Sequence, residues 1–168
     1  MTVIGIDPGK SGGIAIWNYG IVKALKCPNS IPEMASIVSS CLGSWQSDAY
    51  KKVMTDNIVA YIERVHAFPT DGRSSAFKFG QNYGQWLGIL GALGIDTVFV
   101  TPQTWMKYYK DKFSIELPKE KLKRKRKLKE LAIEYVNKRV TLYNSDAILI
   151  AVYGFVKQNM ENIKDLPK

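Results

Sequence analysis

Two cysteines in 168 residues, Cys27 and Cys41, are too few for a disulfide framework and stand outside any metal-binding spacing, so both read as reduced thiols. The chain has no uninterrupted run of 18 apolar residues, which excludes a membrane-spanning helix of ordinary length. Met1 and Thr2 lead directly into a strand-like pattern, without the basic and apolar stretches of a secretory leader, so the expected location is the cytoplasm. Internal repeats and linker-like breaks in composition are also missing, and a single domain over 1–168 is expected. Acidic residues are scarce: 15 stand against 24 lysines and arginines, a formal net charge of +9. An excess of one sign repels itself in a folded chain, and a polyanionic partner would account for it.

The excess is concentrated in one place. Residues 119–129, KEKLKRKRKLK, set eight cations against Glu120 and supply seven of the nine net charges. A solvated helix face or a disordered arm is the bland reading of such a run, and nucleic-acid binding the functional one. Along the chain, residues 3–7, 13–17 and 21–25 read as an antiparallel meander of strands, and Ser30 as the cap of a helix reaching about residue 42. Residues 57–65 predict a strand with Ile58, Ala60 and Ile62 on one face and Val59, Tyr61 and Glu63 on the other. A long helix is expected from a cap at Ser74 or Ser75 to about residue 93. Gly80, Gly84, Gly88 and Gly91 suit it to close packing, which must offset roughly 1 kcal/mol of lost helix stability per glycine. A strand at 97–100, a short helix at 102–109, a basic helix at 118–137 and a last helix at 145–160 complete the pattern.

Three acids share an unusual placement. Asp7 ends the first apolar strand, Glu63 ends another, and Asp146 opens the final apolar helix. A carboxylate desolvated alone is costly, and several brought together repel one another unless a cation neutralises them. Mg²⁺ suits such a site, being hard and oxygen-binding, and it is usually completed by water and phosphate. Three unrelated caps or ion-pair partners are the competing explanation.

The order of these motifs resembles the RuvC-like Holliday junction resolvases of the ribonuclease H-like superfamily. IGIDPGKSGGIAI is similar to their first strand and glycine turn, and ERVHAFPTDGRSSAFKFGQNYG to their catalytic Glu and following helix. SDAILIA is similar to their terminal signature. DGRSSAFKFG together with WxxYYK looks most like the phage-borne branch. The resemblance implies an α/β fold: a mixed sheet, antiparallel in its first three strands and parallel beyond, flanked by helices. It also implies an endonuclease that resolves four-way junctions as a homodimer, by paired nicks leaving 5′-phosphate and 3′-hydroxyl ends. Asp7, Glu63 and Asp146 would hold two Mg²⁺ ions, with Mn²⁺ as a substitute, and Lys125 would reach the scissile phosphate. Flap or fork cleavage and non-catalytic binding of branched DNA are the alternatives. An actin-like ATPase would need a second Asp-x-Gly loop, which the chain lacks.

Relatives often carry a fourth acid three or four positions before the final Asp, where this chain has Tyr143 and Leu142; Asn144 offers only a neutral oxygen. Lys125 lies three residues before Leu128, hence on the apolar side of its helix, where it either reaches phosphate or snorkels at the rim of the core. Lys119, Lys121, Lys123, Arg124 and Lys127 are candidate DNA contacts, as are Lys10 after the first strand, His66, Arg73, Lys78 and Lys107. His66, Phe68, Phe77 and Phe79 form an aromatic group suited to stacking on exposed bases. Phe77 and Phe79 cannot share one helix face, so one is expected in the core. The glycine-spaced helix, with Trp86 and Leu87, is the expected dimer interface.

Overall fold

The computed structural model describes residues 1–18, 21–42, 57–64, 66, 72–136 and 139–164. Strands β1 (Thr2–Asp7), β2 (Gly13–Asn18) and β3 (Ile21–Lys26) form the expected meander, and helix α1 (Ile31–Ser39) follows. Then come β4 (Ile58–Glu63), α2 (Arg73–Ala92), β5 (Asp96–Val100), α3 (Pro102–Phe113), α4 (Lys121–Ile133) and α5 (Ser145–Lys164). The sheet order is β3-β2-β1-β4-β5: β1 pairs antiparallel with β2 and parallel with β4, and β4 pairs parallel with β5. The segment 43–52, which reads as a loop, and Phe68 lie outside the described residues.

Alternation along the strands divides the core into two layers. Ile4, Ile6, Ile14, Ala60 and Ile62 face α1 and α2, against Met34, Val38, Trp86 and Leu90. Val3, Ala15, Val59 and Tyr61 face the other way, against Trp105 and Tyr109 of α3, Leu128 and Leu131 of α4, and Ala147 to Ala151 of α5. Ser30 caps α1 as expected, its Oγ accepting from Glu33 N. Thr101 does the same for α3, accepting from Thr104 N with Pro102 in the first turn. Helix α3 then ends on Ser114, whose φ of 50° puts it in the left-handed region.

Several expectations need correction. Helix α2 begins at Arg73 behind Gly72 and has no side-chain cap, because Ser74 and Ser75 already lie within its first turn. Within the chain its glycines do not mediate close packing: a Cβ at Gly80, Gly84, Gly88 or Gly91 would meet nothing within 4 Å. The close approach is made elsewhere, at Gly5, where a side chain would run into the backbone of Ala147 and Ala151 in α5. Gly154 gives the same intimacy from the helix side, against the ring of Tyr61. Trp86, assigned to a dimer surface from the sequence, is fully buried. The basic helix starts at Lys121, not at Pro118, which leaves Lys119 outside it, and the last helix continues to Lys164.

Because the obstruction at Gly5 is backbone, Gly5→Ala is expected to cost about 3 kcal/mol or prevent folding. Urea denaturation of the soluble variant, or its loss to inclusion bodies, checks this.

Candidate active site

The parallel register sets Ile6 beside Ile62, so Asp7 and Glu63 leave adjacent strand ends on the side that faces α5. Asp146, the second residue of α5, reaches the same place because that helix lies tightly along β1. The turn before α5 is fixed by Asn144. Its Oδ1 accepts from Thr141 N at 2.8 Å and Thr141 Oγ1 at 3.1 Å, while its Nδ2 donates to the carbonyl of Ala24 at 3.3 Å. The loop after Asp7 is fixed from α2, where Asn82 Oδ1 accepts from Gly9 N at 2.7 Å. Gly9 has a φ of 104°, and a Cβ there would stand 2.8 Å from the ring of Phe79, so both backbone and space call for glycine.

Lys125 enters this group from α4. Its ammonium lies 3.2 Å from Asp146 Oδ2 and 3.7 Å from Asp7 Oδ2, and donates to the carbonyl of Leu142 at 3.5 Å. Glu63 has a different partner: its Oε2 accepts from the indole Nε1 of buried Trp105 at 3.1 Å. Burial pushes the Asp7 carboxyl well above the usual range, and the charges of Glu63 and Asp146 add to the effect against the pull of Lys125. Burial likewise pushes Glu63 up to about 7, although the Trp105 hydrogen bond opposes it. Burial disfavours the charge on Lys125, yet the carboxylates of Asp146 and Asp7 outweigh it and hold the ammonium above its ordinary pKa.

Among the described residues, no three acidic, histidine or cysteine side chains already form an ion cage. The donor set nevertheless fits a divalent cation. Burial, with the charge of neighbouring carboxylates added to it, raises the pKa values of Asp7 and Glu63, and the positive charge beside Asp7 and Asp146 is the ammonium of Lys125. Hard oxygen donors around one borrowed cation suit Mg²⁺ or Mn²⁺.

Beside Glu63 opens a cleft of about 820 Å³, whose lining includes Arg64, His66, Phe79, Gln103 and Lys121. His66 and Lys121 therefore line the same cleft as Glu63. Phe77 is 72% exposed, and Phe79, half-buried, packs over the Gly9 loop and lines the cleft, so neither phenylalanine enters the core as one was expected to do. Lys10, Arg73, Lys78, Lys119 and Lys123 are exposed. Lys123 pairs with Glu120 at 2.8 Å and Lys127 with Glu130 at 3.1 Å, while Arg124 donates to the carbonyl of Lys119 at 2.9 Å. Lys107 does not join the cluster: it pairs with Asp111 at 2.7 Å on the exposed side of α3. Tyr143, at the missing fourth acid, is exposed, with the ammonium of Lys26 4.6 Å from its ring centre.

Sequence reasoning missed Trp105 and Asn82. The pair Trp105 and Tyr109, four residues apart, marks the buried face of α3, but the acceptor Glu63 is 42 positions away and no local pattern connects them.

The topology and layering define a ribonuclease H-like fold, a mixed five-stranded sheet flanked by helices. Among solved structures it is shared with RuvC of Thermus thermophilus. In complex with Holliday junction substrate, that protein matches at a TM-score of 0.57 with 14% identity over 96% of each chain. A second structure of T. thermophilus RuvC matches at 0.53, with 17% identity over 96% of this chain and 97% of that one. No family model matches the sequence, and no curated protein matches it.

The raised Glu63 pKa has a consequence for stability. Its folded value, about 7, exceeds its ordinary 4.5, so protonation favours the fold. That stabilisation is complete below about 4.5 and is lost as pH rises through about 7. In chelator, Glu63→Gln is expected to raise the melting temperature relative to the parent at pH 8 more than at pH 5. Paired thermal melts at the two pH values check the sign.

Proposed function

We propose that the protein is a divalent-metal-dependent endonuclease that resolves four-way DNA junctions by paired symmetric nicks. The observation that carries this reading is the meeting of Asp7, Glu63 and Asp146 around Lys125, beside a basic helix, in a fold shared with a RuvC that has been seen with Holliday junction substrate. Asp7, Glu63 and Asp146 would hold two Mg²⁺ ions, or Mn²⁺, with water and substrate phosphate filling the remaining positions. Such ions, when bound, make water a nucleophile near neutral pH and neutralise the charge of the departing 3′ oxygen.

The residues of the chain do the rest. Ionised beside a cation, the three carboxylates are acceptors only, and their burial keeps them oriented and partly dry. Lys125, released from Asp7 and Asp146 once another cation compensates them, donates from Nζ to a non-bridging oxygen of the scissile phosphate. Lys121 and His66 on the cleft wall hold neighbouring phosphates in register, and the surrounding cations of 119–129 draw in DNA by releasing its counterions. Hydrolysis at the phosphorus with loss of the 3′ oxygen leaves 5′-phosphate and 3′-hydroxyl ends.

Two coordinated nicks across a two-fold junction call for two sites, most simply in a C2 homodimer. We place its contact on the open glycine face of α2, where Phe77 is exposed, and not at Trp86, which belongs to the core. A monomer at micromolar concentration by sedimentation would remove this arrangement.

Labelled four-way junction, flap and duplex DNA, each with and without Mg²⁺, test the reading. Symmetric nicking of the junction alone is expected, with Asp7→Asn lowering the rate by at least about a hundredfold while still binding. Cutting of every branched substrate would favour a flap or fork enzyme. Binding without cleavage would make the protein a branched-DNA binder. Lys121→Ala is expected to lower the salt-dependence slope of junction binding by about one, measured by fluorescence anisotropy across a salt series.

A further inference from the structure

Helix α3 carries a device that the acidic residues alone do not reveal. Trp105 is fully buried, and its single polar atom, Nε1, donates to Glu63 Oε2 at 3.1 Å. Everything around it holds that donor still. Thr101 caps the helix four residues earlier, its Oγ1 accepting from Thr104 N at 3.3 Å and standing 2.8 Å from Thr104 Oγ1. The preceding strand end is fixed to β4 by Arg64 N donating to the carbonyl of Val100 at 2.7 Å, beside the register pair Glu63 and Val100. On its other side Trp105 meets Tyr109 edge-on, ring centres 6.4 Å apart, and the Tyr109 hydroxyl donates to the carbonyl of Leu149 at 2.7 Å. Leu149 lies one helical turn after Asp146 in α5.

We infer that Trp105 is a positioning residue for Glu63: its indole reserves Oε2, leaves Oε1 for a cation, and with Tyr109 keys the Glu63 strand to the Asp146 helix. The inference rests on the nuclease reading above and deepens it. Carboxylates that ligate metals are themselves commonly hydrogen-bonded, and loss of such an outer partner usually weakens the metal ten- to a hundredfold. An indole suits the task because it donates without accepting or ionising, so it fixes the carboxylate without competing for the cation. A side chain that served packing alone would be replaceable by any aromatic of similar bulk.

Three proteins decide the matter at pH 8: the parent chain, Trp105→Phe, which keeps an apolar ring and loses the donor, and Trp105→His, which loses bulk and restores a ring N–H. Ca²⁺ affinity is read by calorimetry and metal-free melting temperature in parallel. The positioning role requires Phe to weaken Ca²⁺ by about tenfold and His to bind more tightly than Phe, even where His melts lower. Equal affinity of Phe and parent, or affinities that simply follow the melting temperatures with His weakest, would overturn it. Failure of the parent chain to bind Ca²⁺ would instead reject the metal-dependent reading itself, and the role of Trp105 with it. In the nicking assay, Trp105→Phe is further expected to regain rate as Mg²⁺ is raised, which general misfolding would not allow.

Discussion

The close seating of α5 on β1 governs the rest of the structure. It exists because Gly5 has no side chain, so the backbone at Ala147 and Ala151 can lie against the strand. That contact sets the depth of the helix, and the depth delivers Asp146 to the ends of β1 and β4. A helix held off by even a methyl group would carry its acid away from Asp7. A close helix–strand contact therefore lies directly behind the clustered carboxylates.

Three carboxylates gathered at one edge of a core oppose folding. The chain lessens the cost in two ways, and each compensation also prepares chemistry. The ammonium of Lys125 balances Asp7 and Asp146, while the indole of Trp105 satisfies one oxygen of Glu63. Both groups donate without accepting, so each takes up acceptor capacity only at the oxygen it meets, Asp7 Oδ2 and Asp146 Oδ2 for Lys125 and Glu63 Oε2 for the indole. The cost that remains, burial first and mutual repulsion second, appears as the raised pKa values of Asp7 and Glu63, a local instability that a divalent cation is suited to relieve.

Charge elsewhere is arranged by register. In α4 the apolar positions Leu128, Leu131 and Ala132 turn inward, and Lys125 shares their side. The exposed cations of the same run are partly tied to Glu120 and Glu130, which spaces them along the surface and limits their mutual repulsion. Phe79, Arg64, His66 and Lys121 line the cleft beside Glu63, so aromatic and cationic groups flank that acid.

Much of this was legible without coordinates, because it depends on local periodicity. The meander, the two faces of β4, the Ser30 cap, the inward face of α4 and the three element ends bearing acids all follow from alternation, helical spacing and turn chemistry. Tertiary structure alone decided what depends on distance through space. It left the glycines of α2 open within the chain, although their spacing suggested close packing, and gave the close approach to Gly5 and Gly154. It turned Lys107 toward Asp111 and away from the site, and it joined Trp105 to Glu63 across 42 residues. The physical reason is common to all of these: a sequence states which way a side chain points from its own element, while its partner is chosen by how elements pack.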